Sequence, residues 1–392
     1  MNVNAPPAAG AEALEQERMI LDSIDRWLKR DVAPHVWQLE HDDTYPEEMV
    51  AQMREMGLFG ATIPEEFGGL GLRPSTYAKV IERMSTVWMS LTGIINSHLI
   101  MAFIVQRTGT EEQKRALLPR FATAELRGGL ALTEPDCGTD LQAIRTRAVR
   151  DGDDYVVNGT KTWISNGIHG NCFALLVKTD PAADPRHKGM SMFIAEKGEG
   201  FEVSRKLEKL GYKGIDSAEL NFRDYRVSAD RLIGGAEGRG MASAITGLEL
   251  GRVNVAARGV GLAQAALDAA VRYSQQRSTF GKPIHKHQAI ALKLGDMATR
   301  TAASRLLVEQ AANALDRGER CDYEAGMAKL FATESALENA TEAMRIHGGY
   351  GYSKEFVVER IYRDAPLLVI GEGTNEIQRL VIAKRLIEEN PV

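Results

Sequence analysis

The chain has 392 residues, too many for one hydrophobic core, and predicts two or three domains. Its 44% apolar and 26% charged content belongs to a globular protein, and a net charge of -5 with no block of like charges argues against nucleic acid as a main partner. Three scattered cysteines, Cys137, Cys172 and Cys321, exclude a disulfide framework and a Cys-x-x-Cys metal pair. They are expected as reduced, buried thiols, which suits a cytoplasmic protein. Residues 1–17, Ala/Pro-rich and ending acidic, predict no signal peptide. The uninterrupted apolar runs fall short of the ~18 residues of a membrane span, so a soluble chain with no membrane partner is expected.

From about Glu12 to Ala124 the pattern is helical. Trp27, Val32 and Val36 are spaced for one helix, which Pro34 ends or kinks. Tyr45-Pro46-Glu47-Glu48-Met49 starts another, Gly57-Leu58-Phe59-Gly60 breaks it, and Ile63 to Gly69 reads as a loop. Residues 75–106 predict two buried helices bending near Trp88 and Ser90, and Thr110 caps a helix opening at Glu111. Near Gly128 the period changes to two. Tyr155-Val156-Val157 and Thr160-Lys161-Thr162-Trp163 flank Asn158-Gly159, the signal of a type I′ hairpin. Cys172–Lys178, Met190–Glu196, Phe201–Val203 and Ala218–Phe222 read as further strands. From Gly238 helices return, with seams at Val253, Ala256, Val260, Ala263, Leu267 and Ala270, and at Leu294, Met297, Thr301, Ser304, Val308, Ala311 and Leu315. These belong to long antiparallel helices of a bundle, and Gly259 with Gly261 allows close approach.

Near the end of the chain, Pro366 blocks helix before the apolar run Leu367 to Ile370, which stops at Gly371-Glu372-Gly373. Thr374 or Asn375 caps a following helix with apolar positions Ile377, Leu380, Ala383 and Ile387. Glu372 thus sits on a bare-backboned loop between apolar walls and a helix N-terminus. Apolar walls raise a carboxylate's pKa and the helix end opposes them, which suits a general base near neutral pH. Leu132-Thr133-Glu134-Pro135-Asp136-Cys137-Gly138-Thr139-Asp140 is by itself a polar turn, and Thr162 to Gly167 a strand end with a tryptophan. Arg277-Ser278-Thr279-Phe280-Gly281-Lys282-Pro283, followed by His287-Gln288, places a guanidinium fork beside hydroxyls, a pattern for a pyrophosphate or for a capped loop. Ile346-His347-Gly348-Gly349-Tyr350-Gly351 permits close backbone approach. No Gly-x-Gly-x-x-Gly follows a strand, no Walker A motif occurs, and no His/Cys/Asp cluster has metal-ligand spacing.

In this order, these segments resemble the acyl-CoA dehydrogenase flavoproteins over nearly the whole chain. The resemblance implies an α+β fold: an N-terminal helical domain (1–128), a central β domain (129–237) and a C-terminal four-helix bundle (238–392), assembled as a homotetramer. It implies FAD, held by Leu132 and Thr133 at the flavin's pyrimidine end, Trp163 against the ring and Ser165 near its reactive nitrogen. Thr139 meets the CoA thioester chain and borders the cofactor. Arg277, Thr279 and Phe280, with His287 and Gln288, grip the FAD of a neighbouring subunit, and Gly348 and Gly349 approach its phosphate and adenosine. Arg345 stands where relatives often carry glutamine; Thr374 and Glu376 complete the cofactor set. One branch of the family places its catalytic glutamate at the position of Gly251, so the glycine there leaves Glu372 as the base. Glu249 and Arg252 correspond to positions near CoA, with a surface i,i+3 pair as the competing reading. Gly371 and Gly373 flank the substrate.

The implied reaction is α,β-dehydrogenation of an acyl-CoA, with electrons passed to an electron-transfer flavoprotein. An acyl-CoA oxidase, a flavin monooxygenase and a DNA-binding repair-associated flavoprotein are the alternatives. Many straight-chain relatives carry tyrosine where this chain has Gly371. The opposite wall is expected from Trp88, Met89, Ile94, Ile95 and Phe103, with His98 and Asn96 as polar members or as satisfied core residues. No lysine or arginine lies between Met84 and Gln106, so a short, branched or ring-bearing neutral acyl group is expected.

Overall fold

The computed structural model describes residues 11–391, and the sequence reading of residues 1–10 as free of a signal lies outside them. Helix α1 (Ala11–Trp27) runs into a π-helical turn, Leu28–Val32, and the chain breaks around Pro34 before α2 (Val36–His41). Proline thus ends the helix, as its missing N–H requires. After α3 (Glu47–Glu55), Gly57 at φ 73 stops the helix. The buried pair α4 (Pro74–Val87) and α5 (Met89–Thr108) meet at extended Trp88. Helix α6 (Glu111–Ala122) opens with the expected capping box between Thr110 and Gln113. Among the described residues α5 is the one helix long and apolar enough to cross a membrane, and 83% of its most apolar stretch is buried within the fold.

Strands β1 (Gly128–Ala131), β2 (Arg147–Asp151), β3 (Asp154–Ser165), β4 (Cys172–Lys178), β5 (Met190–Glu196), β6 (Phe201–Lys206) and β7 (Ser217–Ser228) form one sheet. Its order is β1-β4-β2-β3-β7-β6, with β5 on the other edge of β4. Strand β4 is buried on both faces, which accounts for its unbroken apolar run. Cys172, Ala174 and Leu176 pack with α5 and α6, whereas Phe173, Leu175 and Val177 fill the sheet's inner core. The β domain is thereby pressed onto α5.

The expected hairpin at Asn158-Gly159 is absent. That dipeptide lies inside β3, and the two-residue turn is Gly152-Asp153, between paired Asp151 and Asp154. Asn158 instead exchanges hydrogen bonds with Asp224, and a β-carbon on Gly159 would run into Thr146. Asn-Gly here makes a bulge, marked by the register shift against β7 between Val157 and Gly159.

Helix α7 (Gly240–Gln276) leads through the hairpin β8 (Ser278–Thr279) and β9 (Lys282–Pro283) to α8 (Gln288–Asp316), followed by α9 (Asp322–His347). A β-carbon on Gly259 would come within 2.8 Å of the Ala332 carbonyl, and one on Gly261 within 2.6 Å of the Glu82 carbonyl, so glycine sets both helix spacings. Helix α10 (Val357–Ile370) continues through Pro366, against expectation. Burial of Val358, Ile361, Ala365 and Leu368 at helical spacing outweighs the one missing hydrogen bond. Helix α11 (Asn375–Glu389) buries Asn375 and Gln378, while Leu380 and Ile387 of its apolar stripe face outward. The helical, β, helical order of an α+β chain is as the sequence implied.

Candidate active site

Three residues turn the chain between α10 and α11. Gly371 is extended at φ -72, Glu372 is left-handed at φ 54, and Gly373 follows at φ 88. A left-handed glutamate is strained, and a β-carbon on Gly373 would sit 2.8 Å from the Gln378 amide nitrogen. Thr374, rather than Asn375, caps α11 by accepting the Ile377 N–H. The turn drives the Glu372 carboxylate into the cleft between α5 and α7.

There Asn96 donates to Glu372 Oε1 at 2.7 Å, and the Arg258 guanidinium lies 3.6 Å from the same oxygen. Oε2 is buried without a hydrogen-bond partner. Space for it exists because Gly251 has no side chain: a β-carbon there would collide with Oε2 and approach Ile100 to 2.8 Å. Burial pushes the Glu372 carboxyl above its ordinary range, opposed by Arg258, Lys329, the Asn96 hydrogen bond and Arg252. Lys329, buried on α9, is pulled down to about 8 by burial against the attraction of Glu372. Its ammonium donates to Asn375 at 2.7 Å, tying α9 to the start of α11. The site therefore holds a dehydrated carboxylate with one oxygen anchored and one free.

The β domain presents its residues across α5. Buried Lys161 pairs with Glu134 at 2.8 Å and donates to the Leu132 carbonyl at 2.9 Å, while the Thr133 carbonyl accepts the Thr162 N–H at 2.9 Å. These bonds clip the segment carrying Leu132 and Thr133 onto β3. Trp163 stands at a second bulge in β3, left-handed at φ 60 and 58% exposed, which is unusual for a strand tryptophan. Ser165 is half-buried and Thr139 exposed. A β-carbon on Gly129 would meet Ser97 at 2.8 Å and the Ser165 carbonyl at 3.4 Å. Ser165 thus stands one glycine away from the turn of α5 that carries Asn96.

A second constellation lies at the other end of the bundle. Phe280 and Gly281, at φ 49 and 76, turn the β8–β9 hairpin and leave the Phe280 ring 96% exposed. Arg277, Thr279, Phe280 and His287 share a cavity of about 710 Å³ with Gly348 and Gly349. Thr279 and His287 are bonded to each other at 3.1 Å, and Arg277 has no ion-pair partner among the described residues. Arg345 is not part of this group, because it pairs with Glu342 at 2.7 Å. Gln288 is exposed at the first turn of α8, and Glu376 is exposed at the first turn of α11.

Glu249 and Arg252 do not form the surface pair considered from sequence. Arg252 is buried, its Nε lacks a partner, and no contact within ion-pair distance joins the two. Trp88, expected in the acyl wall, turns away and donates to Glu40 at 2.9 Å. His98 is a core residue rather than a pocket member: its Nε2 bonds the Phe121 carbonyl at 3.1 Å, its Nδ1 is buried without a partner, and burial pulls it down to about 4. Asn96 is the base's own partner. The premise of a cation-free pocket also fails. Residues 84–106 do lack a cation, but α7 brings Arg258 in from elsewhere in the chain. Its signal was a lone charge in the buried stretch Val253 to Ala263. Tyr212, which bonds Arg258, carries no comparable signal in the sequence.

Family models bear on these residues. Those described as the acyl-CoA dehydrogenase N-terminal, middle and C-terminal domains match residues 14–125, 129–225 and 238–387. A (2S)-methylsuccinyl-CoA dehydrogenase of Cereibacter sphaeroides is 40% identical over 391 residues, covering 97% of this chain and 71% of that protein. An acryloyl-CoA reductase (NADH) of Anaerotignum propionicum is 39% identical, covering 96% of each. The structure of butyryl-CoA dehydrogenase from Megasphaera elsdenii superposes with a TM-score of 0.91 at 34% identity, covering 95% of this chain and 98% of that one.

Proposed function

The chain belongs to the acyl-CoA dehydrogenase family of oxidoreductases, and from that premise we propose that it dehydrogenates an acyl-CoA thioester between its α and β carbons, with Glu372 as base. The observation that carries this reading is the buried, unpartnered Oε2 beside an Asn96-anchored Oε1. Oε2 takes the α-proton, while Asn96 keeps the carboxylate from rotating away. The Glu372 N–H, without a partner among the described residues, holds the thioester oxygen as negative charge develops on it.

Family members are flavoproteins that generally use FAD, and the residues here fit it. The 710 Å³ cavity offers an unpaired guanidinium for phosphate, an exposed ring and bare glycine backbone. Trp163, exposed at its bulge, fits an isoalloxazine face. FAD, when bound, supplies the acceptor for the β-hydrogen as hydride. We propose further a homotetramer, in which Arg277 and its neighbours reach the FAD of an adjacent subunit, with an electron-transfer flavoprotein as acceptor in a cytoplasmic setting. A relative named for the reductive reaction gives a second reading, with Glu372 returning the proton to the α carbon.

Anaerobic mixing of FAD-loaded protein with a panel of CoA thioesters tests the reading. Bleaching of the flavin by at least one of them is expected, and a panel that leaves the flavin oxidised overturns it. Slow reoxidation of the bleached enzyme by oxygen separates a dehydrogenase from an oxidase or a monooxygenase. Reduction of the oxidised flavin by NADH, followed by its reoxidation by an enoyl-CoA, would favour the reductive direction.

A further inference from the structure

Resting on the dehydrogenase reading, we propose that Arg258 receives a second, distal carboxylate on the acyl group, so that the substrate is a short dicarboxylyl-CoA. Arg258 is 3% exposed on α7, within an otherwise apolar turn of Val255, Ala256, Ala257, Gly259 and Val260. Its Nε donates to Asn254 Oδ1 at 2.7 Å and its Nη1 to the Tyr212 hydroxyl at 3.0 Å. Asn254 is in turn fixed by the Tyr77 hydroxyl at 2.9 Å. Every one of these hydrogen-bond acceptors is neutral. Among the described residues the one carboxylate within ion-pair distance is that of the catalytic Glu372, at 3.6 Å from Nη2. That is beyond a hydrogen bond, so the fork keeps a free donor pointing into the substrate cleft.

Where this chain does pair a buried or half-buried cation with a carboxylate, the contact is close. Lys161 has Glu134 at 2.8 Å, and Arg363 has both Glu40 and Glu359 at 2.8 Å. A buried guanidinium without such a partner is costly unless a ligand supplies the anion. The surroundings are built to hold it in place. Gly93 of α5 makes room for the Tyr212 hydroxyl, and the Tyr212 N–H donates to Asp364 of α10 at 2.5 Å.

The separation from Glu372 sets the length of the acyl group. The base must lie about 3–3.5 Å from the α-hydrogen's carbon, and a guanidinium–carboxylate pair closes to about 2.8 Å. A carboxylate on Arg258 then sits one or two bonds beyond the reacting carbons, which gives an acyl chain of about four or five carbons. It stays bonded to the chain as a spectator: the α-proton goes to Glu372 and the β-hydrogen leaves as hydride, as in the proposed reaction. Substrate charge on Arg258 would also offset the pull that this guanidinium exerts on Glu372. The base thus becomes more basic when the right substrate is bound.

The test compares succinyl-, 2-methylsuccinyl- and glutaryl-CoA with butyryl-, isobutyryl- and isovaleryl-CoA on the holoenzyme, by anaerobic flavin bleaching and steady-state kcat/KM. Wild type should favour one of the dicarboxylyl thioesters by roughly 10²-fold or more, since a buried charge left unpaired is a strong discriminator. In Arg258→Gln the ratio of dicarboxylyl to butyryl kcat/KM should fall by roughly 10²-fold. A purely structural Arg258 would instead lower both alike. A wild-type preference for a neutral thioester overturns the proposal while leaving the dehydrogenase reading intact, and needs no variant to fold. Silence toward the whole panel by flavin-loaded protein removes both.

Discussion

At the scale of single residues the site turns on Glu372, whose backbone is left-handed and whose carboxylate is buried. Glu372→Gln keeps the shape and removes the proton acceptor. Flavin reduction by a working thioester should fall by more than the usual ~10²–10⁴-fold worth of a general base, with FAD content unchanged. Retention of near wild-type bleaching would move the role to another carboxylate. The same substitution makes a stability prediction with a definite sign. Burial raises the folded-state pKa of Glu372 above its ordinary value. The native state therefore favours the protonated form, and that contribution is lost as pH rises through the raised pKa. Glutamine cannot ionise, so Glu372→Gln should melt above wild type at pH 7 to 8, with the gap closing below the ordinary glutamate range. A constant gap across pH in holoenzyme melting curves would show that the carboxylate is not desolvated. The glutamate could be read from the sequence because its glycine neighbours announce the turn. Arg258 and Tyr212 could not, because only the packing of α7 against the 211–214 loop brings them to the carboxylate.

At the scale of elements, what the sequence showed depended on how local the cause was. The Thr110 capping box, the strand Cys172–Lys178 and the bundle seams are written in neighbouring residues, and all appear in the structure. The hairpin at Asn158-Gly159 and the stop at Pro366 were read from equally local signals, yet distant partners overrode both. Asp224 pairs with Asn158 from another strand, and the core of α10 carries the helix past its proline. The Lys161–Glu134 pair belongs to the same class of long-range feature. Burial pulls Lys161 down to about 8, while Glu134 is held below its ordinary value by Lys161 and the N–H groups of Arg145 and Thr146. The carboxylate is thus secured from three sides, and the lysine depends on it. Lys161→Met strands Glu134 in the interior, at a cost of about 3 kcal/mol, the low end for a broken buried pair because two N–H bonds remain. It also frees the Leu132 carbonyl, so the segment carrying Thr133 is clipped to β3 by the Thr162 N–H with one bond fewer. Thermal melting should drop and the dissociation constant for FAD should rise together. An unchanged FAD affinity in a destabilised variant would mean that the 132–134 segment does not hold the cofactor.

At the scale of the whole molecule, helices α8 and α11 carry large apolar side chains that face outward. Leu380, Leu386 and Ile387 on α11 are 66%, 51% and 71% exposed, and Leu292 and Leu306 on α8 are 62% and 66% exposed. The apolar stripe of α11 was legible in the sequence, and the structure turns its Leu380 and Ile387 outward. A second feature bears on the proposed homotetramer. The cavity between Arg277, Phe280 and Gly348-Gly349 holds none of Thr133, Trp163, Ser165 or Glu372. A cofactor that touches both sets would join two subunits, and its binding would stabilise their association by mass action, by about 2.7 kcal/mol at a hundredfold excess over its dissociation constant. Arg277→Ala and Leu380→Arg should then fail in different ways. Arg277→Ala removes the phosphate partner, so FAD content falls and the assembly loosens with it; added FAD at high concentration should restore both. Leu380→Arg places a charge in the apolar contact, so its assembly should stay broken at any FAD concentration. Light scattering with flavin absorbance on the same samples reads both quantities. A tetramer of Arg277→Ala with full flavin, or a wild-type monomer that binds FAD tightly, would show that the cofactor does not bridge subunits.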